Sequence, residues 1–148
     1  GIIYNAPEEH KGTSNQGAKD IEFIETKDNK KVYEAVGEKI HDMGKEFIGG
    51  CGYSAIGGVI GCTHVNEAIQ LRKVLNTMFF LIPGYGAQGG KAEDVALYLK
   101  NGNGGVVNSS RGILLAYRKV GDELNFADCA RKEAIRMKED IMRAVKGI

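Results

Sequence analysis

Cysteine, histidine and surplus charge are all scarce in this sequence, and each shortage closes a class of function. Twenty basic residues face 19 acidic ones, a formal net charge of +1. No sign of charge predominates, so a general nucleic-acid or acidic-membrane partner is not expected. No apolar run approaches the ~18 residues of a membrane span. No signal peptide is read at the start, and a cytoplasmic protein is expected. The three cysteines, Cys51, Cys62 and Cys129, are odd in number and share no metal-ligand spacing. They read as reduced thiols, mostly buried, rather than as a disulfide framework or a zinc site. His10, His41 and His64 are scattered and expected on exposed faces, and Asp20, Glu22 and Glu25 have no spacing that argues for a metal.

Glycine is abundant, with 21 copies, and many of them fall at the ends of apolar runs. Phe79-Phe80-Leu81-Ile82-Pro83 opens into Gly84-Tyr85-Gly86-Ala87-Gln88-Gly89-Gly90, and Gly104-Gly105-Val106-Val107 into Asn108-Ser109-Ser110-Arg111-Gly112. Each run is too short for a helix and ends in small or polar residues, the form of a buried parallel strand leading into a binding loop. Strands are predicted over 56–63, 78–83 and 105–108, with Pro83 closing the second. Between them lie helical patterns. Val32, Val36, Ile40, Met43 and Phe47 recur every three or four residues over 31–47 and predict an amphipathic helix. A helix over 65–75 turns Ala68, Ile69 and Leu71 through Leu75 inward, and one over 91–100 turns in Val95, Ala96 and Leu99. The closing helix, 126–145, carries the stripe Ala130, Ala134, Met137, Ile141 and Val145.

This alternation is the rhythm of βα units around a parallel sheet. A full (β/α)8 TIM barrel takes about 250 residues. The chain holds three clear units, so a partial α/β barrel is expected; a flavodoxin-like open sheet is the alternative, but usually has five strands. Half a barrel leaves unpaired strand edges and an uncovered apolar inner face, so a partner is expected.

Two loops carry the chemistry. The glycines at 84, 86, 89 and 90 allow close backbone approach to an anion, and Gln88 adds an amide donor. If Ile113 opens a short helix, the amides of Ser110, Arg111 and Gly112 sit at its start, and the Arg111 guanidinium can fork onto two phosphate oxygens. Either loop can also be read without a ligand, as a flexible turn and as a surface arginine paired with a carboxylate. Thr13-Ser14-Asn15-Gln16 offers hydroxyl and amide groups suited to a polar heterocycle.

Together these segments resemble the C-terminal half of orotidine 5′-phosphate decarboxylase, in its longer bacterial-type branch. Three motifs carry the resemblance: Gly52-Tyr53-Ser54-Ala55-Ile56-Gly57 leading into Val59-Ile60-Gly61-Cys62-Thr63, then Phe80 to Gly90, then Val107-Asn108-Ser109-Ser110-Arg111-Gly112-Ile113. Their order and spacing fit that barrel's sixth, seventh and eighth strands. The resemblance implies one partial barrel domain over 1–148, with 1–30 an irregular or degraded fifth βα unit and 31–148 units six to eight. It implies that Gln88, Gly89 and Gly90 border a nucleotide phosphate, that Ser110, Arg111 and Gly112 hold it, and that Thr13, Ser14 and Asn15 lie against the pyrimidine. The implied reaction converts orotidine 5′-phosphate to UMP and carbon dioxide without metal or organic cofactor. A lysine stabilises the ring carbanion, and phosphate binding closes loops over the substrate. The implied partners are that nucleotide, a missing N-terminal half-barrel or second chain, and a second copy in a homodimer.

The family's Asp-x-Lys-x-x-Asp motif is absent. Asp28-Asn29-Lys30-Lys31-Val32-Tyr33 begins like it but lacks the final aspartate and precedes a helix. The family's Lys-Thr-Ser-Asn-Pro is here Gly12-Thr13-Ser14-Asn15-Gln16, after a stretch too polar for a stave, of which only Ile2-Ile3-Tyr4 remains. No catalytic residue is therefore expected in this chain, and alone it is expected to be inactive. A non-catalytic module that grips a phosphorylated nucleotide, or a truncated product stabilised by another chain, are the alternatives.

Overall fold

A computed structural model describes residues 2–4, 9–10, 13–14, 24–62, 65–86 and 88–147. Its strands are β1 (Ile2–Tyr4), β2 (Glu9–His10), β3 (Thr13–Ser14), β4 (Gly57–Ile60), β5 (Phe79–Pro83) and β6 (Gly105–Asn108). The helices are α1 (Val32–Gly44), α2 (Val65–Val74), α3 (Ala92–Ala96), α4 (Ser110–Leu114), α5 (Ala116–Val120) and α6 (Phe126–Lys146), with a 3-10 turn, Lys45–Phe47, after α1. One sheet has the order β1-β4-β5-β6, every neighbouring pair parallel; β2 and β3 form a separate antiparallel hairpin. Among the described residues no helix is long and apolar enough to cross a membrane.

Alternation along the strands decides which face is covered. Gly58 and Ile60 of β4, and Phe80 and Ile82 of β5, turn toward the helices and are buried. There they meet Tyr33 of α1, Ala68, Leu71 and Leu75 of α2 and its end, Val95 and Tyr98 around α3, and Met137 and Ile141 of α6. Burying a side chain such as Phe80 or Ile82 completely is worth roughly 1.5–3 kcal/mol. The opposite face stays open. Val59, Leu81 and Val106 are in register across β4, β5 and β6, and Leu81 and Val106 remain 40% and 52% exposed. The expected uncovered inner face is this row.

The strands start and stop close to the predicted positions, and the helices differ in instructive ways. The helix predicted over 31–47 ends at Gly44, where a side chain would meet Ser54 Oγ at 2.6 Å. Ser54 Oγ donates to the Gly44 carbonyl at 2.9 Å. On α1 the buried residues are Tyr33, Gly37 and Gly44, while Val36, Met43 and Phe47 of the predicted inward stripe are exposed. Periodicity found a real apolar face, but the small residues of another face let α1 pack closely. In the same way α2 buries Ala68, Leu71 and Arg72 but leaves Ile69 and Val74 exposed. The helix predicted over 91–100 is α-helical only to Ala96; winding continues through i to i−3 bonds from Leu97, Tyr98 and Leu99. The closing helix matches its predicted span, but of its stripe only Met137 and Ile141 are fully buried and Ala134 is exposed.

Arg72 was expected only as part of a helix face, and it joins the sheet to three other segments. Its Nε donates to the Tyr98 carbonyl at 2.7 Å, Nη1 to Met78 at 2.9 Å and Leu75 at 3.3 Å, and Nη2 to Gly104 at 2.9 Å. The guanidinium lies over the Phe80 ring, 3.6 Å from its centroid. Burial lowers its pKa from 12.5 to about 10. Removing it takes this donor from four inward-facing carbonyls; those of Gly104 and Leu75 keep the Phe80 and Met78 N–H groups, while those of Tyr98 and Met78 lose their guanidinium partner. Arg72→Met is expected to lower the free energy of unfolding by about 3–5 kcal/mol, with Arg72→Lys recovering only part, because an ammonium lacks the planar fork. Urea unfolding of the three proteins checks this; an Arg72→Met chain as stable as the parent would overturn the assignment.

Candidate functional site

The two loops singled out in the sequence leave the sheet side by side at the C-terminal ends of β5 and β6, whose last residues pair as Pro83 with Asn108. Gly84, at φ +108°, turns the first loop in a backbone region that other residues rarely adopt. The loop then closes on itself: Gly86 N–H donates to the Gly90 carbonyl at 2.9 Å, Gly89 N–H to Gly86 at 3.0 Å, and Gly90 N–H to Gly84 at 3.2 Å. Beneath it lies buried Cys62, and a side chain at Gly90 would come within 2.4 Å of its Sγ. Burial pushes the Cys62 thiol up to about 11.

The second loop is joined to the first by Ser109, whose Oγ donates to the Tyr85 carbonyl at 3.1 Å. Ser110 opens α4, three residues earlier than predicted, and Ile113 N–H closes the first turn on the Ser109 carbonyl at 2.9 Å. The amides of Ser110, Arg111 and Gly112 are thus first-turn donors without a partner inside the helix. Ser110 Oγ donates to Asn108 Oδ1 at 3.2 Å. Arg111 is exposed, and among the described residues no carboxylate pairs with it.

Between the loops lies a cavity of about 180 Å³, with Pro83, Gly84, Tyr85 and Gln88 on one side and Asn108 through Arg111 on the other. Gln88, Ser110 and Arg111 therefore line one space, an assembly of amide, hydroxyl and guanidinium donors suited to an anion. Gly112 sits next to it, packed on Ser109 Oγ. Gly89 and Gly90 lie off the cavity wall with their N–H groups already bonded to loop carbonyls, so they shape the loop that presents Gln88. Thr13 and Ser14 belong to β3, in the hairpin that follows β1; Asn15 lies outside the described residues. Asp28 and Lys30 occupy a turn before α1, and Lys30 Nζ pairs with Glu38 at 2.5 Å, which is not the setting of a strand-borne catalytic lysine. Among the described residues no three His, Cys, Asp or Glu side chains are grouped as metal ligands.

Sequence reasoning quoted Tyr85 and Ser109 but gave neither a structural part. The Tyr85 hydroxyl donates to Asp140 Oδ2 of α6 at 2.5 Å. Burial first, and the Asp140 bond second, raise the phenol above its ordinary value.

The chain is 73% identical over 133 residues to orotidine 5′-phosphate decarboxylase of Clostridium tetani, a match covering 90% of this chain and 46% of that protein. The chain matches half of an orotidine 5′-phosphate decarboxylase. The enzyme of the same name from Clostridium perfringens strain SM101 is 64% identical over the same span. Among solved structures, Leishmania donovani UMP synthase aligns at a TM-score of 0.62 and 28% identity, covering 90% of this chain and 26% of that one. No protein-family model matches. The chain spans about half the length of the curated relatives it matches. The resemblance to the C-terminal half of orotidine 5′-phosphate decarboxylase is thereby borne out, and the four-stranded parallel sheet is part of a TIM barrel.

The packing of Cys62 under the decarboxylase-like loop gives a direct test. Gly90→Ala forces a methyl group into Cys62 Sγ and the Gly84 carbonyl, which is expected to cost about 1–3 kcal/mol and displace the loop. In the parent at pH 8, exposed Cys51 should react with a thiol reagent while Cys62 stays protected; in the variant Cys62 should become reactive. Equal protection of Cys62 in both proteins would show that the loop is not packed as described.

Proposed function

We propose that this chain supplies the phosphate-gripping half of an orotidine 5′-phosphate decarboxylase. The carrying observation is the cavity in which Gln88, Ser110 and Arg111 converge at the ends of two adjacent parallel strands. In TIM barrels, the loops after strands seven and eight, with a short extra helix, are where phosphate usually sits. The Arg111 guanidinium and the Ser110 hydroxyl, with the first-turn amides of α4, hold the phosphate, and Gln88 closes over it. Thr13, Ser14 and Asn15 contact the pyrimidine. The bond that breaks lies elsewhere: loss of the ring carboxylate leaves a carbanion that a lysine stabilises electrostatically. Arg111 contributes through binding energy released at a distance from the reacting carbon.

The domain is a single partial barrel in which β1 is the fifth stave, followed by β4, β5 and β6 as the sixth to eighth. The open row Val59, Leu81 and Val106 supports a further partner, the rest of the barrel, laid against it. Two completed barrels pairing as a homodimer are part of the same proposal, and no cofactor is required by it. A second reading, a binding module without turnover, is favoured by the absence of Asp-x-Lys-x-x-Asp from the sequence.

The test is decarboxylation of orotidine 5′-phosphate followed by ultraviolet absorbance, for the chain alone and after co-expression with the N-terminal half of the Clostridium tetani enzyme. The chain alone should be silent. The complemented protein should turn over, with Arg111→Ala reducing kcat/KM at least a hundredfold, since two or more charge-assisted hydrogen bonds of roughly 1.5–3 kcal/mol are lost. UMP binding with no turnover in the complemented protein would favour the binding module. Turnover that ignores Arg111→Ala would remove the phosphate assignment. Size-exclusion mass reports whether the complemented protein is a dimer.

A further inference from the structure

Tyr85 makes connections that the phosphate reading does not use. It lies between Gly84 and Gly86, both at positive φ, yet it is only 5% exposed. The hydroxyl reaches α6 and donates to Asp140 Oδ2 at 2.5 Å. Its carbonyl accepts from Ser109 Oγ, the residue preceding Ser110 and Arg111. Its backbone bridges to Gly90 at the far end of the same loop. One side chain and its peptide unit thus join the first loop, the second loop and the last helix.

We infer that Tyr85 is a positioning residue for phosphate binding, and that its bond to Asp140 holds the Gln88 loop and the Arg111 turn at the separation a phosphate needs. The inference rests on the phosphate reading given above. Three observations carry it. A loop with glycines at 84, 86, 89 and 90 closes on itself through its own backbone bonds but has few side chains to pack, so its position against the second loop must be set by outside contacts. Tyr85 is the one residue of that loop, among those described, whose side chain hydrogen-bonds to another element. Its hydroxyl is committed to α6, so it acts on the ligand through the loops and not by contact. Asp140 is set in turn by α6, where Arg143 approaches its other oxygen at 3.6 Å and Arg136 interacts with the Tyr85 hydroxyl.

A residue that only supported the fold would affect every ligand alike. A positioning residue penalises the phosphate specifically, because the donors remain present but misplaced. The experiment titrates the 148-residue chain calorimetrically with UMP, inorganic phosphate and uridine, and follows thermal unfolding, for the parent, Tyr85→Phe, Asp140→Ala and the double variant. Each single variant should weaken UMP and phosphate about tenfold, the scale of one lost charge-assisted hydrogen bond, and leave uridine unchanged. The double variant should be no worse than either single one, since both remove the same bond. Unchanged UMP affinity with a lowered unfolding temperature overturns the inference and leaves Tyr85 structural, as does a loss shared equally by uridine. If the parent binds neither UMP nor phosphate while Arg111→Ala behaves identically, the phosphate reading itself fails and this inference falls with it.

Discussion

The Arg72 side chain is the constraint on which this architecture turns. Parallel strands enter the sheet from the same end, so their first residues leave carbonyls pointing into a region where helices and returning loops converge. Here the carbonyls of Met78 and Gly104, just before β5 and β6, and those of Leu75 and Tyr98, just after two helices, meet one guanidinium. Its planar fork fits them simultaneously while its face covers Phe80. No carboxylate is needed, because several oriented peptide dipoles share the charge. The cost of burial shows in the depressed pKa of the group. The clamp sits beyond the N-terminal ends of β5 and β6, opposite the cavity, so the cavity end can be built of glycine-rich loops while the other end stays fixed.

That division explains why the cavity loops depend on contacts rather than on intrinsic stiffness. The first loop is held from below by Cys62, from the side by Ser109 and from behind by Asp140. The second is a single helical turn started by Ser109. Together the two loops place Gln88, Ser110 and Arg111 around one space. On the sheet's other face the row Val59, Leu81 and Val106 lies uncovered. The cavity is therefore complete along the edge formed by β5 and β6, whereas the apolar interior next to it is not.

Much of this was legible in the sequence, for identifiable reasons. Short apolar runs that end in Pro83 or Asn108 mark strands, and the span of α6 follows from a pattern sustained over about four turns. The placement of Gln88, Ser110 and Arg111 around one cavity was legible because loops that follow neighbouring parallel strands leave the sheet at the same end. What failed was inference about faces and partners. Val36, Met43 and Phe47 form an apolar stripe, but a stripe does not say what covers it, and Gly37 and Gly44 permitted closer packing on another side. Spacing also does not show that the Gly89 and Gly90 N–H groups bond the loop's own carbonyls. Arg72 looked like any helix arginine, since nothing local announces four carbonyls from distant segments.

The Tyr85 to Asp140 bond also sets an order of events during synthesis. Its partners are separated by 55 residues. A ribosome adds about 5–20 residues per second, so the loop emerges several seconds before the helix that anchors it. During that interval the loop has its glycines but not its fastening. The cavity end is consequently the last part of the nascent sheet to mature, and a pause in translation within α6 would prolong the time it spends unfastened.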